Sequence, residues 1–130
     1  MQYDKILIIE DYRTIIENTA EFLDLEGYIP MTATNRKMGL EKVFQLVPDL
    51  ILCDLLMPEM DGFEVLWALG EHPHYKTIPF LFFSAKTKKK DIRREIDAGA
   101  IDYIVKPFDL DNLGQKIEQC LKKSQAPDDI

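Results

Sequence analysis

The chain has 130 residues, 46% hydrophobic and 30% charged, with 23 acidic side chains against 16 basic ones for a net charge of −7. This length and balance describe one domain with a single packed core, and exclude intrinsic disorder. The acidic excess disfavours non-specific binding to nucleic acid or anionic membrane, and no apolar run approaches the roughly 20 residues of a membrane span. No apolar secretory segment follows Met1 to Lys5, since the early run Ile6 to Ile9 stops at Glu10-Asp11. Cys53 and Cys120 are too few for a metal cluster or a disulfide framework. They read as reduced thiols in a cytoplasmic protein.

Short apolar runs alternate with longer amphipathic segments. Lys5 to Ile9 is the first run. Ile15, Ile16, Thr19, Phe22 and Leu23 then share one helical face, with Gly27 placed to stop the helix. Tyr28 to Thr34 reads as a strand, and Pro30, which cannot donate to a sheet ladder, assigns it to an edge. Asn35 is placed to cap a helix carrying Leu40, Val43, Phe44 and Val47 on its inner face, ended by Pro48. Leu50 to Cys53 is a buried strand. Asp61-Gly62-Phe63-Glu64 has the form of a capping box opening a helix from Phe63 to Leu69, with Phe63 and Trp67 read as core. Phe80 to Phe83 is another buried strand. Asp91 to Ala98 reads as a short charged helix before Gly99. Tyr103 to Val105 is a strand whose Asp102 suits an edge, and Asp109 caps a last helix with Leu113, Ile117 and Leu121 inward. Runs without polar alternation suit strands buried on both faces of a parallel sheet. Five strands alternating with helices predict an α/β, doubly wound sheet with helices on both faces. Ser124 to Ile130 reads as a polar, frayed tail.

Open α/β sheets bind ligands beyond the carboxyl ends of their strands. There the sequence sets Glu10-Asp11, Asp54, Ser84 and Lys106. Each alone has a plain explanation as a cap, a strand-end turn residue or a solvated lysine. Together, on one rim, they point to chemistry. Clustered carboxylates repel, and a hard divalent cation with oxygen ligands such as Mg2+ relieves this. A carboxylate beside such a cation is a nucleophile toward a phosphoryl group, while cation and lysine neutralise the transferring oxygens. A hydroxyl then donates to a phosphate oxygen. The set is complete for forming an aspartyl-phosphate.

Glu10-Asp11, the stretch Leu50 to Gly62 around Asp54, Ser84-Ala85-Lys86 and Lys106-Pro107-Phe108 resemble the receiver domain of two-component response regulators. The resemblance covers 3–122, leaving 123–130 as the tail. It implies a flavodoxin-like three-layer sandwich, a five-stranded parallel sheet of order 2-1-3-4-5. By position, Asp54 corresponds to the phosphoacceptor, and Glu10, Asp11, Asp54 and the backbone carbonyl of Leu56 to the Mg2+ ligands. Ser84 corresponds to the switch hydroxyl, Lys106 to the phosphate-contacting lysine and Tyr103 to the switch aromatic. Lys106-Pro107 corresponds to a cis peptide. Glu at 10 replaces the commoner Asp, leaving open direct or water-mediated contact, and Ser at 84 replaces the commoner Thr. The implied partners are a sensor histidine kinase or histidine phosphotransfer protein and a downstream effector. The surface of the fourth helix, fifth strand and fifth helix would change with phosphorylation. A phosphorylation-dependent dimer belongs to the same expectation, although the last helix is poor in arginine. Neither direct nucleic-acid binding nor membrane contact is implied.

The reading is of a signalling switch, not an enzyme. A haloacid-dehalogenase-like phosphohydrolase would want an acid at 56, where Leu56 stands. A flavin carrier would want a hydroxyl-rich loop where Glu10-Asp11 repel phosphate. A degenerate receiver would lack Asp54, Asp11 or Lys106. Lys88-Lys89-Lys90 reads as a solvated run, His72 and His74 as a surface turn, and Cys53 as packing on the strand face opposite Asp54.

Overall fold

The computed structural model describes residues 4–54, 56–57, 60–84, 102–105 and 109–125. The expected helix Asp91 to Ala98, Lys86, Lys88 to Lys90 and Lys106-Pro107-Phe108 lie outside them, as do the side chains of Leu56, Phe63, Ser84 and Tyr103.

The elements run β1 (Lys5–Ile9), α1 (Arg13–Leu25), β2 (Ile29–Ala33), α2 (Arg36–Leu46), β3 (Leu50–Asp54), β4 (Leu56–Met57), β5 (Met60–Asp61), α3 (Gly62–Gly70), β6 (Phe80–Ser84), β7 (Asp102–Val105) and α4 (Leu110–Gln125). Five parallel strands form one sheet in the order β2-β1-β3-β6-β7, and β4 and β5 form a small antiparallel hairpin. Strands β2 and β7 therefore lie at its edges, as Pro30 and Asp102 predict.

Alternation along each strand feeds two cores. Leu7, Ile9, Ile51, Cys53, Phe80 and Phe82 pack with Val43 of α2 and Val65 and Leu69 of α3. Ile6, Ile8, Leu50, Leu52, Leu81 and Phe83 pack on the other face with Leu23 of α1 and Leu113, Ile117 and Leu121 of α4. Every described strand side chain of β3 is buried, as a sheet covered on both sides requires.

Local chemistry sets the helix ends. Asn35 Oδ1 accepts from the Met38 amide at 2.9 Å and Asp109 Oδ1 from the Asn112 amide at 2.7 Å, both as side-chain caps. At the end of α1, Tyr28 N–H donates to Leu23 O and Gly27 N–H to Asp24 O, a Schellman closure needing the positive φ of +92° that Gly27 supplies. Val47 adopts φ 43° after α2, an unusual conformation for a β-branched residue. Pro48 behind it disfavours the right-handed helical region.

Four features depart from the sequence reading, the first being Val47, expected on the inner face of α2 but lying past its end and 47% exposed. Trp67 is 50% exposed, because Val65 and Leu69 already take the inner stripe of α3 and position 67 falls opposite. Phe44 is half-exposed on the flank of α2, where its ring meets those of His72 and Tyr75 at 5.5 and 5.1 Å. The last helix continues to Gln125, past the tail boundary at 123; helix-compatible residues carry it until Pro127 approaches.

Edge strand β2 has its outward groups blunted. Ile29 N–H donates to Asp4 O, toward the sheet, so alternation turns the nitrogen of Pro30 outward. Lys42 Nζ donates to the outward carbonyl of Thr32, and Tyr28 N–H is engaged by Leu23 O.

Candidate functional site

Register builds the site. Ile9 pairs with Cys53, so the residues that follow them, Glu10 and Asp54, leave adjacent strands side by side. On the other flank Asp54 pairs with Phe83, which places Ser84 one residue farther along, opposite Val105. The backbones of Ser84 and Tyr103 thus stand at the carboxyl half of the sheet, while Lys106 lies beyond the described residues.

Glu10 is fully buried and Asp54 only 4% exposed, whereas Asp11 is exposed. Each of the three offers a carboxylate oxygen, and these oxygens lie within 4.8 Å of one another. Glu10 is held twice. Its backbone N–H donates to Ala33 O at 3.0 Å, and its Oε2 accepts from the amides of Asp11 at 2.9 Å and Tyr12 at 3.2 Å. The N-cap position of α1 is Tyr12, without a side-chain cap bond, so Asp11 does not serve as the cap.

Beyond Asp54 the chain folds back in the hairpin β4–β5, with Leu56 paired to Asp61. This fixes the backbone of Leu56 two residues from Asp54. Helix α3 opens at once, and Glu64 in its first turn accepts from Arg36 Nη1 at 2.6 Å. Sequence reading did not single out Arg36 and took Glu64 only as a cap. The available signal was an unlike pair of charges in the first turns of two helices that both leave the same sheet rim.

The donors are all hard oxygens, which suits Mg2+. Oxygens across one Mg2+ stand about 4.2 Å apart, twice the ~2.1 Å bond length. The spacing here is therefore near that of a metal shell and needs only a small contraction or a bridging water. Packed carboxylates with no cation would repel one another, and a divalent ion offsets this.

Comparison with known proteins shows the family and the fold. The response regulator receiver domain model matches residues 6–118. Response regulator ArlR of Staphylococcus saprophyticus is 37% identical over 123 residues, covering 92% of this chain and 53% of the relative. The DNA-binding dual master transcriptional regulator RpaA of Synechocystis is 33% identical over 120 residues, covering 92% of this chain and 50% of the relative. A crystal structure of a response regulator from Chloroflexus aurantiacus superposes with a TM-score of 0.87 at 29% identity, covering 92% of this chain and 98% of that one. The chain belongs to the response regulator receiver domain family, with the flavodoxin-like fold of two-component receivers. It spans about half the length of these curated relatives. No described helix is long and apolar enough to cross a membrane.

Proposed function

We propose that this receiver is a phosphorylation switch in which Asp54 accepts a phosphoryl group from a phosphohistidine of a sensor kinase or phosphotransfer protein. The observation that carries the reading is the meeting of Glu10, Asp11 and Asp54 within 4.8 Å at the carboxyl rim of the sheet. A carboxylate oxygen of Asp54 attacks phosphorus. The P–N bond breaks, its electron pair stays on the imidazole nitrogen, and an acyl phosphate remains on Asp54.

Bound Mg2+ would neutralise charge on the phosphoryl oxygens. Asp11, Asp54 and the Leu56 carbonyl would hold it directly. Glu10, whose Oε2 already accepts from two amides, would hold it through water. In the same reading Lys106 binds the phosphoryl oxygens, Ser84 donates to one of them after transfer, and Tyr103 reports the change to the outer surface. Residues 3–122 form the receiver unit and 123–130 its tail, the start of which is helical. The protein acts in the cytoplasm as a switch and not as an enzyme. Its output goes to an effector through the surface of the expected helix Asp91 to Ala98, strand β7 and helix α4, with a phosphorylation-dependent dimer as one form. Direct nucleic-acid and membrane contacts are not part of the reading.

Acetyl phosphate with Mg2+, followed by intact-mass measurement, tests it. The expected result is one added phosphoryl group on the wild type and none on Asp54→Asn. Stoichiometric labelling of Asp54→Asn would remove the assignment.

A further inference from the structure

We propose that the ion pair between Arg36 and Glu64 is a clasp that sets the shape of the metal pocket, a positioning role that rests on the receiver reading above. The pair joins two segments that each carry part of the pocket. Arg36 is the first residue of α2 and lies three residues after Ala33, whose carbonyl accepts the Glu10 N–H. Glu64 lies three residues after Asp61, the cross-strand partner of Leu56. Arg36 Nη1 to Glu64 Oε2, at 2.6 Å, therefore closes a ring that runs from Glu10 through β2 and α2, across to α3, and back through the hairpin to Leu56 and Asp54.

Two features argue against an incidental surface contact. A cation in the first turn of a helix opposes the helix dipole, so Arg36 is placed against local preference in α2, whose first turn holds no acidic residue to offset it. The hairpin it steadies has only two residues per strand, a length that is marginal unless tied to its surroundings. The Arg36 and Glu64 side chains are 50% and 43% exposed, and pairs so exposed contribute little to global stability. What the pair fixes is the distance between the Leu56 backbone and the Glu10 carboxylate.

The test is Mg2+ affinity of the full chain by titration calorimetry at fixed ionic strength, with melting temperature in chelator as the control for folding. Arg36→Met and Glu64→Gln should each weaken Mg2+ binding about two- to fivefold, the most that a pair this exposed can couple to the pocket. Both should melt within a few degrees of wild type without metal. The swapped pair, Arg36→Glu with Glu64→Arg, should recover most of the affinity. Simple field effects predict the opposite sign for one variant, because removing the Arg36 cation alone would tighten cation binding. Unchanged or tighter binding by Arg36→Met overturns the clasp, and so does a swapped pair as weak as the single variants. Absence of Mg2+ binding by wild type would instead overturn the reading of the acidic site itself.

Discussion

Gly39 of α2 lies directly against Ile9 of β1: a Cβ at position 39 would stand 2.7 Å from Ile9 Cδ1 and 3.1 Å from its Cγ1. Ile9 is fully buried and immediately precedes Glu10, so the helix comes this close where the strand delivers its acidic residue to the rim. Gly39→Ala gains about 1 kcal/mol of helix propensity but overpacks the core at about 1–3 kcal/mol, for a net loss of about 0–2 kcal/mol. Ile9→Val removes the crowding Cδ1. On that background Gly39→Ala should become stabilising. Urea unfolding of the four proteins measures the coupling, and additivity within about 0.3 kcal/mol would show that the contact is not tight.

Crowded carboxylates should make stability depend on the cation. At ten times its Kd, Mg2+ should add about 1.4 kcal/mol and raise the melting temperature by about 5 °C. Asp54→Asn removes one charge from the cluster. It should melt higher than wild type in chelator and gain less from Mg2+. Melts of both proteins at constant ionic strength decide this, and equal Mg2+ responses would separate Asp54 from the metal site.

Leu56 is two residues past the proposed phosphoacceptor and cannot orient an attacking water through its side chain. Leu56→Asn supplies a polar group there, held by the same β4–β5 pairing. The phosphorylated variant should lose phosphate severalfold faster than wild type. Decay followed by intact mass after removal of the phosphodonor gives the two rates, and equal rates would show that position 56 does not reach the water.

Away from the rim, Asp4 is held above its ordinary carboxylate range, first by burial and then by the negative charge of Asp49. A raised folded-state pKa means that the protonated acid is favoured in the fold. The stabilising preference is fully present below the unfolded value of 3.8 and is lost as pH rises through the folded value. Asp4→Asn should therefore match wild type in strong acid and exceed it at neutral pH. A pH series of denaturant midpoints tests this, and a constant gap across the series would contradict it.

The sheet was largely legible because fully buried strands have no polar alternation to confuse their reading. Leu50 to Cys53 and Phe80 to Phe83 were each placed to within one residue of the observed strand. Caps at Asn35 and Asp109, the stop at Gly27 and the edge position of Pro30 follow from backbone chemistry that a single residue specifies. Which flank of a short helix faces inward was less legible. Trp67 and Phe44 are apolar, yet Val65, Leu69 and Val43 occupy the inner stripes, and only tertiary packing makes that choice. At the rim, the meeting of Glu10, Asp11 and Asp54 could be reasoned from strand order. The contact between Arg36 and Glu64 depends on how two helices lie side by side, 28 residues apart in sequence, and no local pattern encodes it.

The blunted outer border of β2 bears on how crowded copies of the molecule behave. Sheets grow by recruiting a stranger's backbone along an open edge, which is how many folded proteins begin to form fibres. Here such a recruit would find no donor at Pro30, the carbonyl of Thr32 covered by Lys42, and the Tyr28 amide already engaged with α1. A ladder laid along that side is interrupted at Pro30, whose nitrogen has no hydrogen to donate. Copies that collide there meet a broken row of backbone groups, a poorer template for irreversible assembly than an open edge.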